Sequence, residues 1–157
     1  MQMCGVFLGL GPSVFNQLVR NVSIGKLKTF QLYENFKLRA RLAKLNSEGL
    51  RKATPKMWAR IEEGDEEFAT DLSQALLVSH MDMIIEVLDF LHIPHQSGFF
   101  DKAIKTDEYL TDGWQQRVYD AVAGKYPHDV LIFYINHLSW ELLKSGDLFL
   151  PAASHAI

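Results

Sequence analysis

His80, His137 and Glu141 are the residues whose types and spacing come nearest to a reaction centre in this chain. Imidazole nitrogens and a carboxylate are the ligands that zinc or iron takes inside helical bundles, and three protein ligands leave one position open for water. His137 and Glu141 stand four residues apart, on one face of a single expected helix. His80 falls opposite the polar stripe of another expected helix, so it should point inward among Leu76, Leu77, Met83, Ile84 and Val87. A buried histidine bonded to a carbonyl or hydroxyl is the commoner arrangement. The expectation is therefore no cofactor, with a transition metal such as zinc or iron on these three residues as the alternative.

Other groups carry weaker chemistry. Asp89, His92 and His95 cluster where a long helix should end, but a histidine in the last turn is favoured by the helix dipole without any metal. The single cysteine, Cys4, has no partner for a disulfide and no histidine near it in sequence. Gly5, Gly9 and Gly11 neither follow a strand nor lead into Gly-Lys-Ser/Thr, and no Gly-x-Ser-x-Gly elbow occurs. The run Glu62, Glu63, Asp65, Glu66, Glu67 lacks the alternation and central glycine of a calcium loop, and reads as a solvated turn followed by a helix start.

Charge is divided unevenly along the chain. Residues 20–60 carry 11 Lys and Arg against Glu34 and Glu48, whereas residues 61–157 carry 5 against 17 acids. Lys37, Arg41 and Lys44 share one helical face, which could meet phosphates or an acidic partner surface. The net charge of −3 is unlike that of a dedicated nucleic-acid domain, so charge complementarity within the fold or between copies is the preferred reading.

The elements that would position these residues are helical. A chain of 157 residues with 48% hydrophobic content suits one domain, and no linker, repeat or low-complexity tract divides it. Gly11-Pro12-Ser13 opens a helix, and a second is expected from about Lys26 to Leu45. Asn46-Ser47 caps a short one, and Thr54-Pro55 starts the next, which stops at Gly64. Asp65 then caps the longest, a continuous helix over about 65–93 that is closed by Pro94. Its polar stripe Ser79, Asp82, Glu86, Asp89 leaves the remaining faces apolar, as a central helix requires. Gly98-Phe99-Phe100 is too aromatic for an idle loop and should dock on the core. Asp112 to Gln115 has the spacing of a capping box, and Tyr126-Pro127 opens a last helix reaching about Lys144. The fold class predicted is all-α: a single-domain bundle of five or six helices around the 65–93 helix, with residues 151–157 frayed.

The functional expectation is a non-enzymatic interaction or regulatory module acting on a protein partner or on its own copies. The alternatives are a nucleic-acid-binding protein using the basic 20–60 segment and a metal-dependent bundle enzyme. One lone cysteine fits a reducing, cytoplasmic setting. The run Val6 to Leu10 has no basic residue before it and no cleavage pattern before Pro12, and the longest later apolar runs are broken by Asp82, Glu86 and Asp89 or by Asn136 and His137, so neither a signal peptide nor a membrane span is expected.

Overall fold

The computed structural model describes residues 1–36, 46–101, 103–143 and 147–151, with the backbone alone at 33 and 34. The chain folds as an all-α bundle, and no strand occurs among the described residues. In order the helices are α1 (Met3–Leu10), α2 (Pro12–Arg20), α3 (Ile24–Thr29), α4 (Ser47–Glu62), α5 (Glu66–Leu77), α6 (Met81–Phe90), α7 (Trp114–Val122) and α8 (His128–Leu138). The apolar Val6 to Leu10 run lies in α1, which packs against α2, α4, α5 and α8. Phe7 joins this arrangement by stacking on Phe133 of α8 and meeting Phe15 of α2 edge to face. No described helix is long and apolar enough to cross a membrane.

The segment expected as one helix over 65–93 is helical, but it is divided. Asp65 caps α5 as predicted, accepting from the amide of Phe68, and α6 ends at Phe90. Between them Val78–His80 forms a single 3-10 turn, with His80 at φ −125° and ψ 38°. The polar stripe keeps its register through the turn: Ile84 and Val87 are buried while Glu86 is half-exposed, bonded to Tyr126 and Lys125. Counting α5 and α6 as one bent helix gives seven among the described residues, more than the five or six expected.

Several helix ends differ from expectation, each for a local reason. α3 stops at Thr29 instead of running on towards Leu45, because Gln31 at φ 57° lets the amides of Leu32 and Gln31 close on the carbonyls of Leu27 and Lys28. Thr54-Pro55 starts no new helix: α4 runs through it from its Asn46 cap, with the Thr54 hydroxyl donating to the Leu50 carbonyl and Pro55 exposed. Gly113 rather than Asp112 caps α7, and Arg117 holds the Asp112 carbonyl at 2.7 Å. α8 ends at Leu138, well short of Lys144, because Ser139 leaves helical geometry and a 3-10 turn, Trp140–Leu142, follows.

Two residues of the acidic run, Asp65 and Glu66, hold the fold together, while Glu62, Glu63 and Glu67 are exposed. Asp65 pairs with Arg60 at 2.6 Å while capping α5, and the Arg60 guanidinium lies 4.4 Å from the centre of the Phe68 ring. Glu66 reaches across to α1 and accepts from the amides of Met3 and Cys4 with its two carboxylate oxygens. The first turn of a helix carries unsatisfied N–H groups and partial positive charge, so a carboxylate placed there satisfies both. Glu66→Ala is expected to lower stability by about 1–2 kcal/mol, the size of a lost helix cap. Urea unfolding followed by circular dichroism checks this. A loss no larger than that of Glu67→Ala, an exposed neighbour, would show that the cap contributes nothing.

A second long-range polar tie fixes the far end of the chain. Buried Asn136 accepts from the amide of Phe149 at 2.8 Å and donates to the carbonyls of Phe149 and Ile132, each at 3.0 Å. The docked 147–151 segment also brings Leu148 onto Gly9 of α1, where any β-carbon would meet the leucine side chain. Of the tail expected to fray, Pro151 is described and 152–157 lie outside the described residues.

Candidate functional site

An open groove of about 1100 Å³ runs along the α5–α6 bend. Leu77, Val78, Met81 and Ile84 line it from the bend and Tyr134, His137 and Leu138 from α8, with Phe30 at the end of α3 and residues 98–100 and 104–107 of the loop that follows α6. Local chain geometry explains the loop's position. The turn after α6 is closed by His95, whose Nδ1 accepts from the Gly98 amide while its Nε2 lies 2.6 Å from Asp89. Gly98, at φ 93°, then presses its backbone onto α6, and a β-carbon there would come 2.4 Å from the end of Met81. The expected docking of Gly98-Phe99-Phe100 thus holds for Gly98 and Phe100, whereas Phe99 stays 55% exposed beside Phe30, with ring centres 6.0 Å apart.

The three residues expected to hold a metal are placed separately. Among the described residues no three His, Cys, Asp or Glu side chains are gathered as a metal ion would need. His80 is half-buried in the 3-10 turn rather than fully enclosed, because the bend turns it away from the stripe geometry of a straight helix; its Nε2 is shut off from solvent without a hydrogen-bond partner. His137 lines the groove, and so does Glu141, but the end of α8 at Leu138 puts Glu141 on the following turn instead of one helical face with His137. In the other histidine cluster Asp89 and His95 bond each other, and exposed His92 adopts φ 62° beyond the helix end.

His137 has a defined role in its wall. Ser73 donates its hydroxyl proton to the carbonyl of Thr70 at 2.7 Å, so at its 3.3 Å contact with His137 it acts as acceptor. A ring proton on Nε2 is then the one that bonds the Ser73 oxygen. This polarity is the reverse of a serine activated by a histidine base, where the hydroxyl must donate to the ring. Desolvation pushes the His137 pKa down to about 4 and lowers that of His80 as well. Cys4 is no nucleophile either: burial, reinforced by Glu66, pushes its thiol up to about 12.

A pH dependence follows from the histidines. Both folded-state pKa values lie below the unfolded value, so the stability gained by keeping the rings neutral is complete above about pH 6.5 and is lost as pH falls towards 4. The urea midpoint is expected to drop between pH 7 and pH 4.5, and the drop should be smaller in His137→Gln. Equal drops in the two proteins would remove His137 from the account.

Tyr134 is the groove residue that sequence reasoning missed. It is buried, its ring lies nearly parallel to His137 with centres 6.4 Å apart, and its hydroxyl has no hydrogen-bond partner although no solvent reaches it. Desolvation raises its pKa, so it stays a phenol. On the other side of the sequence reading, Lys37, Arg41 and Lys44 lie outside the described residues, while Arg51, Lys52 and Lys56 project from α4 into solvent, Lys52 within 3.3 Å of Glu48. No family model, curated protein or solved structure matches this chain.

Proposed function

We propose that the protein is a non-enzymatic helical binding module and that the groove along the α5–α6 bend takes up the apolar part of its partner. The observation that carries this reading is the set of large apolar side chains left in solvent at the groove: Phe30, Phe99 and Leu142, the last two more than half exposed. Exposed apolar side chains clustered on a concave surface lose free energy when a ligand covers them. The Ser73–His137 contact in the groove wall is not arranged to activate a nucleophile, since the serine hydroxyl donates to the Thr70 carbonyl.

The neutral dye Nile red tests this directly. Saturable binding of about one dye per chain is expected, and Phe99→Asp together with Leu142→Asp should weaken it at least tenfold without changing the far-ultraviolet circular dichroism. Absence of saturable binding, or binding indifferent to both substitutions, would remove the groove as the binding site.

A further inference from the structure

We infer that His95 is a pH-sensitive latch on the loop that borders the groove: its neutral ring holds the Gly98 amide on Nδ1, and a second ring proton releases it. The bonding pattern leaves one tautomer. The Gly98 N–H points at Nδ1 from 3.0 Å, so this nitrogen can only accept, and the single ring proton stands on Nε2, where it is donated to Asp89 at 2.6 Å. The His95 side chain is only 12% exposed, which keeps water from replacing either partner freely. An imidazolium carries a proton on both nitrogens. It keeps Asp89, but at Nδ1 two N–H groups then face each other, and the amide has to leave.

What this amide secures is the approach of the loop to α6. Gln96 and Phe99 exchange amide-to-carbonyl bonds of 2.7 and 3.0 Å around Ser97 and Gly98, which both adopt positive φ. Ser97, at φ 52°, lies in the left-handed region that favours glycine, so the turn works against its own backbone and depends on its bonds. Residues 98–100 and 104–107 line the groove, and release of Gly98 from Met81 frees that border. Asp89 of α6 is the charged side chain bonded to the ring; His92 is exposed and makes no bond to it, and Asp101 of the same loop accepts from the Ala103 amide. Asp89 favours the imidazolium whether or not Gly98 is bound, so it sets the pH of release. The difference between the latched and released states comes from the Gly98 bond. Imidazole is the side chain that changes charge between pH 5 and 8.

Amide hydrogen exchange of the whole chain at pH 8 and pH 5, with each rate divided by its intrinsic value, tests the latch. Protection at Gly98 is expected to fall about tenfold more than at buried Val87 of α6, the difference that one hydrogen bond makes. His95→Asn places a carbonyl oxygen where Nδ1 stands, an acceptor that does not titrate in this range, and should remove the pH response. Asp89→Asn should move the response to lower pH without removing it. Imidazole nitrogen spectra of the parent protein at pH 8 should show the His95 proton on Nε2. A proton on Nδ1 at pH 8, a Gly98 loss no larger than that at Val87, or the full pH response persisting in His95→Asn would overturn the latch. No dye enters these measurements, so their failure is separate from that of the groove reading, which Nile red tests.

Discussion

Phe133→Ala should remove about 3–5 kcal/mol of stability, enough to unfold a large share of the molecules if the total lies in the usual range of about 5–15 kcal/mol. Phe133 is fully buried, and its ring lies 5.0 Å from that of Phe7 at an interplanar angle of 23°, so α8 and α1 meet through this pair. Phe7 in turn contacts Phe15, and Phe15 contacts Trp58, which carries the aromatic chain from α8 through α1 and α2 to α4. Truncation leaves a cavity against the Phe7 ring of α1. Chemical denaturation followed by tryptophan fluorescence gives the loss. Phe7→Ala, alone and combined with Phe133→Ala, should reveal a coupling of about 0.5–1.5 kcal/mol between the rings. Strict additivity would mean that the stacking contributes nothing beyond buried area.

Asn136→Leu is expected to cost about 2–4 kcal/mol, the second largest loss among these substitutions, because both backbone groups of Phe149 lose their partner at once. Leucine fills nearly the same volume, so the effect isolates the hydrogen bonds from the packing. The structure can limit the loss by releasing the 147–151 segment, which lets the backbone of Phe149 bond to water instead. That route predicts a second signature: faster amide hydrogen exchange at Phe149 and easier proteolysis in this segment, with α8 itself still protected. A loss below about 0.5 kcal/mol with unchanged exchange would show that the segment docks through Leu148 and Phe149 side chains alone.

What could be read from residue types was local. Asp65 as a cap, the stripe of Ser79, Asp82, Glu86 and Asp89, and the docking of Gly98 all follow from neighbours within a few turns of chain. The bend at Val78–His80 leaves no mark because the residues on both sides continue the same apolar periodicity, and a single 3-10 turn shifts that periodicity by only about half a residue. Thr54-Pro55 matched a start signal, yet exposed Pro55 is tolerated within α4, losing one amide bond. His137 and Glu141 looked like helix neighbours because helical spacing assumes that the helix persists, and Ser139 ends that persistence. The polar ties that matter most, Glu66 to α1 and Asn136 to Phe149, join residues brought together only by tertiary packing. Tyr134 was indistinguishable from a core aromatic, since nothing in its neighbours shows whether a hydroxyl will find a partner.

That hydroxyl gives a direct test of the groove's wall, in which Tyr134 lines the cavity with a hydroxyl that no group of the fold bonds. Removing a satisfied buried hydroxyl weakens a protein, whereas removing an unsatisfied one relieves a desolvation penalty of about 1 kcal/mol or more. Thermal unfolding of Tyr134→Phe, measured without ligand at pH 7, should therefore show a midpoint about 2–4 °C above that of the parent protein. A midpoint lowered by the same amount would mean that the hydroxyl is bonded within the fold, against its unpartnered place in the groove wall.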